Sequence, residues 1–208
     1  KTDNLLANIF PKSIAAELSE NGNVISKGFD EVSILFTDFK NFTNISSAMS
    51  PEKLVDELND IFHAFDSIIE EQGVEKIKTI GDSYMVVCGA PSHTVNHAEK
   101  CIDTGLKMIH CLEKRNEKSG VKWEMRVGVH SGKVVAGVVG KNRFTYDIWG
   151  DAVNLASRVE SLSHPNKVNI SGITFDFVKN IYEFDYRGKI DSKGKGELDM
   201  YFVNKKIS

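Results

Sequence analysis

The stretch from Val74 to Cys88, in which two apolar runs flank a Gly81-Asp82 pair, constrains this chain more than any other. Val74, Ile77 and Ile80 lead into the pair and Tyr84 to Cys88 leave it, so the flanks favour strands while glycine and aspartate favour the turn. A hairpin of this kind carries a carboxylate, Asp82, at its tip. Lys78 lies an even number of residues before Asp82, so along an extended strand the two side chains share a face. One reading is a plain ion pair across the turn. A second aspartate upstream argues for more. Val32 to Phe36 is a short apolar run boxed by polar residues, the pattern of a buried strand, and it delivers Asp38 at its carboxyl end. An unpaired carboxylate there is costly and calls for a cation.

Around these two acids the chain alternates between strand and helix patterns. Leu5 to Leu18 reads as an apolar helical lead-in ending at Asn21-Gly22. Ser50-Pro51-Glu52 starts a helix with a capping hydroxyl, proline at the first helical position and an early acid. Leu54, Leu58, Ile61, Phe62, Phe65, Ile68 and Ile69 then recur at helical spacing until Gly73. A second helical pattern runs from about Val95 to Lys114, with His93, His97 and His110 in or near it at no metal-binding spacing. Trp123, Met125, Val127 and Val129 alternate with polar residues, a half-buried strand expected to end at His130-Ser131-Gly132.

The order strand, helix, strand, strand, helix, strand predicts an α+β fold with a ferredoxin-like βαββαβ core, helices covering one face of an antiparallel sheet. In that topology the end of the first strand and the tip of the central hairpin are neighbours, so Asp38 meets Asp82. Two adjacent carboxylates repel unless they share a proton or bind cations, and hard oxygen donors suit two divalent ions, Mg²⁺ or Mn²⁺. Such a pair of ions is apparatus for phosphoryl transfer.

Length and composition agree. The chain has 208 residues, 41% of them hydrophobic, enough for one domain with a real core. A net charge of −3 argues against a nucleic-acid partner. No apolar run approaches the roughly 18 to 20 residues of a membrane span. Cys88, Cys101 and Cys111, odd in number and without metal-ligand spacing, read as reduced residues of an intracellular protein.

Further on, Val134 to Val139, a turn at Gly140-Lys141-Asn142 and Phe144 to Trp149 form a β-hairpin arm, and an α/β extension follows. Asp151 reads as the cap of the next helix. Asn154 and Arg158, four apart, share one face of it, as plain surface or as a site. His130, Asp151 and Lys195 are read as structural.

Five stretches in order, Ser33 to Thr43 (SILFTDFKNFT), Lys76 to Val86 (KIKTIGDSYMV), Met125 to Gly132 (MRVGVHSG), Tyr146 to Arg158 (YDIWGDAVNLASR) and Lys193 to Val203 (KGKGELDMYFV), resemble the catalytic domain of the class III nucleotide cyclases. The resemblance implies that Asp38 and Asp82 bind the metals, with the Phe39 carbonyl as a further ligand. It implies that Arg158 stabilises charge developing at the α-phosphate, that Asn154 orients the ribose, and that Lys193, assisted by Arg126, contacts the terminal phosphates. The amides that follow Asp38, at Phe42 and Thr43 where the next helix starts, are expected to cradle phosphate oxygens.

Lys78 and Asp147 match the family's two base-reading positions. Adenine offers an acceptor at N1 and a donor at N6, which an ammonium and a carboxylate complement, whereas guanylyl cyclases of this family carry Glu and Cys there. The expected reaction is therefore conversion of ATP to cyclic AMP and pyrophosphate. Because every role is present in one chain, with Asn154 and Arg158 reaching the partner's site, the resemblance implies a head-to-tail homodimer with two equivalent sites. Residues 1–24 are expected to be a lead-in from an upstream regulatory domain, and 25–208 the catalytic unit. A guanylyl cyclase and a catalytically silent nucleotide-binding dimerisation module are the alternatives. One departure stands out: Asn41 occupies a position where most relatives carry glycine, so its backbone must tolerate a positive φ beside the phosphates.

Overall fold

The structure, a computed structural model, describes residues 2–208. The lead-in is two helices, α1 (Thr2–Ile9) and α2 (Lys12–Asn21), instead of one, because Pro11 precedes the second and interrupts the run. Phe10, in the link between them, and Ile14 and Ala15 of α2 are buried. The chain continues through β1 (Lys27–Phe39), the short α3 (Phe42–Ser47), α4 (Pro51–Gln72), β2 (Glu75–Ile80) and β3 (Ser83–Cys88). Then come α5 (His97–Lys118), β4 (Met125–Val139), β5 (Thr145–Trp149), α6 (Asp151–Ser161), β6 (Val168–Ser171), α7 (Gly172–Val178), β7 (Tyr182–Asp191) and β8 (Glu197–Lys206). No described helix is long and apolar enough to cross a membrane.

The start of α4 follows its sequence signals: Ser50 Oγ accepts from the Lys53 amide at 3.2 Å, and Pro51 takes the first helical position. The central hairpin turns over two residues, with Ile80 opposite Ser83. Gly81 supplies the positive φ (59°) that such a tight connection requires. Lys78 does not pair with Asp82. Its ammonium turns instead to Asp147 of β5.

The strands form one mixed sheet in the order β2-β3-β1-β4-β6-β8-β7, with β5 also pairing with β4. Its first four strands are the antiparallel ferredoxin-like core; β4 and β6 run parallel, joined by α6. One face is covered by α4 and α5, where Leu35, Tyr84, Val86, Val127 and Val129 meet Ile61, Phe65, Cys101, Ile102 and Met108. The other face holds a second apolar cluster that includes Ile34, Phe36, Met85, Val87 and Ile148, with Ala152 and Ala156 of α6 and Ile14 of α2. Alternation along β1 sends Ile34, Phe36 and Asp38 to that second face.

Two sequence expectations are corrected. β4 does not stop at His130-Ser131-Gly132 but runs on to Val139, because His130 and Ser131 are buried and bonded to β1, β6 and α7. Asp151 is not the cap of α6. Gly150 occupies that position, and Asp151, the first helical residue, pairs with Lys195 at 2.9 Å. The structural reading of Asp151 and Lys195 is otherwise what the geometry gives. His97 is a buried core residue whose Nδ1 lies 2.6 Å from Ser33 Oγ, and all three cysteines are free.

Candidate active site

Pairing of β1 with β4 sets Asp38 opposite Arg126. Arg126 Nη2 donates to Asp38 Oδ2 at 3.1 Å. The hairpin tip brings Asp82 to the same place, where its Oδ2 accepts from the Phe39 amide at 3.2 Å and its carboxyl reaches that of Asp38. Burial, followed by the hydrogen bond and like charge of Asp38, pushes Asp82 up to about 7. An open cavity of about 390 Å³ lies here, lined by Asp38, Phe39, Asn41, Phe42, Thr43, Asn44 and Asp82. Asn41 adopts φ 56° and ψ 30° just before α3, so this asparagine does take the left-handed conformation its position demands.

A third acid joins the cluster, one that reading the sequence did not single out. Glu160, near the end of α6, is only 6% exposed. The helix can come this close because residue 128 is glycine: a Cβ there would stand 2.2 Å from the Glu160 amide nitrogen. Burial, then the charge of Asp38, raises the Glu160 carboxyl to about 7 against the opposing pull of Arg126. Its Oε2 lies 3.7 Å from Arg126 Nε, and neither atom has a hydrogen-bond partner among the described residues. The sequence did carry a signal. Ala152, Ala156 and Glu160 recur at every fourth residue, which places an acid on the apolar stripe of the helix.

The remaining sequence-predicted residues fall into two other groups. Lys78 Nζ stands 2.6 Å from Asp147 Oδ2, while Asp147 Oδ1 accepts from the Ile148 amide at 2.8 Å. Asn154 is exposed on α6. One turn further, Arg158 Nη1 donates to the Ser192 carbonyl at 3.2 Å in the β7–β8 turn. Lys193, in that turn at φ 56°, reaches Ser161 Oγ at 3.3 Å. Arg158 and Glu160 are separated by roughly 200° around the helix axis, so one faces away from the sheet where the other faces into it. The chain therefore brings together Asp38, Phe39, Asp82 and Arg126, beside Phe42 and Thr43, and separately Lys78 with Asp147 and Arg158 with Lys193. Among the described residues no group of three or more His, Cys, Asp and Glu side chains is arranged to hold a metal ion. Asp38 and Asp82 are the two acids that line the cavity, and Glu160 stands behind them against Arg126.

Similarity to known proteins follows the same lines. The family model described as the adenylate and guanylate cyclase catalytic domain matches residues 24–205. An adenylate cyclase of Mycobacterium tuberculosis is 40% identical over 210 residues, covering 100% of this chain and 47% of that protein. The human guanylate cyclase soluble subunit beta-2 is 40% identical over 205 residues, covering 98% of this chain and 33% of that protein. The chain thus spans less than half the length of these curated relatives. Among solved structures, the guanylate cyclase domain of RhGC from Catenaria anguillulae, in complex with GTP, superposes with a TM-score of 0.84 at 34% identity. That match covers 87% of this chain and 100% of the other. With its core topology, its paired aspartates and a family match over nearly its whole length, this chain belongs to the class III adenylate and guanylate cyclase catalytic domains.

Proposed function

We propose that the chain is an adenylyl cyclase catalytic unit, turning ATP into 3′,5′-cyclic AMP and pyrophosphate at two equivalent sites between head-to-tail copies of itself. The observation that carries the choice of base is the Lys78–Asp147 pair, with Nζ and Oδ2 2.6 Å apart. An adenine inserted between them accepts from the ammonium at N1 and donates from N6 to the carboxylate. Guanine presents a donor at N1 and an acceptor at O6, leaving donor facing donor and acceptor facing acceptor. Each mismatch costs roughly 1 to 3 kcal/mol. Guanylyl cyclase is the second reading, favoured by the equal identity to the human guanylate cyclase subunit.

The donor set at Asp38 and Asp82 fits two divalent cations, Mg²⁺ or Mn²⁺. Two hard carboxylates share a partly buried place that pushes one of them up to about 7, and a cation relieves that repulsion. The Phe39 carbonyl and the triphosphate would complete the coordination. When bound, the ions lower the pKa of the 3′-hydroxyl and neutralise charge on the phosphates. The 3′-hydroxyl gives up its proton to solvent and its oxygen bonds to the α-phosphorus as the bond to the bridging oxygen of pyrophosphate breaks.

The chain's own groups meet the charge that moves. Arg126 faces the terminal phosphates from the sheet, and Lys193, in the β7–β8 turn beside Arg158, does so in the partner's site. Phe42 and Thr43 supply amides at the start of α3. Arg158 stabilises the α-phosphate oxygens and Asn154 holds the ribose, both reaching the partner's aspartates, since Arg158 faces away from those of its own chain. Residues 1–24 serve as a lead-in from an upstream regulatory domain on the cytoplasmic side.

The test is purified protein assayed with ATP and with GTP, under Mg²⁺ and Mn²⁺, at several protein concentrations. Cyclic AMP as the main product, with specific activity falling on dilution, is the expected result. A preference for GTP establishes the second reading. No cyclic nucleotide from either triphosphate leaves a silent module.

A further inference from the structure

Glu160 has a role that its burial alone does not explain. A glutamate at 6% exposure is ordinarily paired on both oxygens, yet Oε2 faces the equally buried Arg126 Nε across 3.7 Å with neither bonded. Arg126 meanwhile donates its Nη2 to Asp38 Oδ2, so the guanidinium occupies one of the two oxygens that Asp38 can offer a cation. We infer that Glu160 is a positioning residue that draws the Arg126 guanidinium off Asp38 when a divalent cation binds, and holds it toward the triphosphate.

The geometry is set for such a transfer. Closing the gap to about 2.9 Å satisfies Arg126 Nε and Glu160 Oε2 in one movement, and withdraws the guanidinium from the aspartate. Glu160 cannot retreat from the approach, because its own backbone lies against Gly128 of β4. Arg126 cannot leave the neighbourhood either, being fixed in register opposite Asp38. The guanidinium thus has two acceptors on its two sides. Whichever carries more net negative charge holds it, and cation binding lowers that charge at Asp38 alone. Without Glu160 the arginine remains a competitor for the metal site.

This inference rests on Asp38 and Asp82 holding a cation, and its test reads that binding directly. Mn²⁺ affinity is measured by the electron paramagnetic resonance signal of free Mn²⁺, without nucleotide. The proteins are the wild type, Glu160→Gln, Arg126→Gln and the double variant. Glu160→Gln is expected to weaken Mn²⁺ by about tenfold. In the Arg126→Gln background the same change is expected to have little effect, because the competitor is gone. Plain loss of a nearby negative charge would instead persist in that background, and that outcome, or unchanged affinity in the single variant, overturns the inference. With ATP, the expected split is a raised KM and a largely retained kcat, since Arg126 meets the terminal phosphates already in the ground state. If Glu160→Gln does not fold, Glu160→Asp keeps the charge but shortens the reach, and weakened Mn²⁺ binding in it, again abolished by Arg126→Gln, is the supporting result. Wild-type protein that binds no Mn²⁺, or binds it equally after Asp38→Ala, sinks the metal reading itself, a failure distinct from the others.

Discussion

Two polar clusters are set into the same sheet, and they are built in opposite ways. The first is a chain of neutral groups from five elements: His97, Ser33, Ser131, Thr174, Ser171 and His130, linked by contacts of 2.6, 2.7, 3.0, 3.2 and 2.7 Å. Every hydroxyl in it has at least two of these contacts, and among the described residues the far nitrogen of His97 is buried without a partner. The second contains Asp38, Asp82, Arg126 and Glu160, where three acids face one guanidinium and two buried atoms stand unpaired. The neutral cluster fastens β1, β4 and β6 to α5 and α7. The charged cluster is left incomplete by the chain itself, the condition expected where a ligand supplies the missing charge.

The largest effect that tests this contrast is removal of an acid. Asp38→Ala is expected to lower turnover by roughly 10³-fold or more, since metal and phosphate stabilisation worth several kcal/mol is lost. Metal-free Asp82→Asn should at the same time melt higher than the wild type, because a like-charge contact has been removed. A melting temperature that falls with activity would place the acids among the structural groups and end the contrast. Lys78 and Asp147 form an intermediate case, paired with each other yet assigned to the substrate. Changing Lys78→Glu together with Asp147→Cys should move the ATP:GTP ratio of kcat/KM toward GTP by roughly 10²-fold, read from competing-substrate assays.

Legibility in the sequence divides along the same line. The hairpin, α4 and the ferredoxin-like core were readable because turn glycines, a capping serine and apolar spacing are local signals. The meeting of Asp38 with Asp82 followed from strand order alone. β4 was cut short because His130-Ser131-Gly132 resembles a turn, and only packing reveals that its polar groups are consumed inside. Asp151 was misplaced by one residue because a glycine can cap a helix without a side chain. Glu160 is not legible in the sequence as part of the site because its partner residues lie on strands distant along the chain. An acid on an apolar stripe gains meaning only when Gly128 is known to sit beneath it. The roles proposed for Lys78, Asp147, Asn154 and Arg158 rest on resemblance to a family, not on spacing.

The neutral cluster also makes a prediction about pH. Burial lowers His130 from 6.5 to about 4, with the charge of Asp151 opposing the shift. The folded state then binds fewer protons than the unfolded chain between those values. His130 therefore contributes full stability above about pH 6.5, and this is lost as pH falls toward 4, a change of about 3 kcal/mol. Denaturant melts across that range should show the loss in the wild type and a flatter acid limb in His130→Asn. An unchanged limb in the variant would mean that the histidine is solvated when folded.

The smallest effect isolates a single hydroxyl. Ser131 Oγ contacts both Ser33 Oγ and Thr174 Oγ1, and the residue is 2% exposed. Ser131→Ala leaves two neighbours each short of one hydrogen bond, an expected loss of roughly 1 to 3 kcal/mol in a urea melt. Turnover per folded molecule should stay at the wild-type level, because nothing in the chain from His97 to His130 touches the aspartates. Glu160→Gln gives the opposite pattern, with metal affinity changed and the urea midpoint held or raised, since an uncharged amide is less costly to bury than an unpaired carboxylate. If Ser131→Ala lowered activity at unchanged stability, the neutral chain would be coupled to the active site. The two clusters would then be one system, joined through β4, which carries Arg126, His130 and Ser131 within a single run of strand.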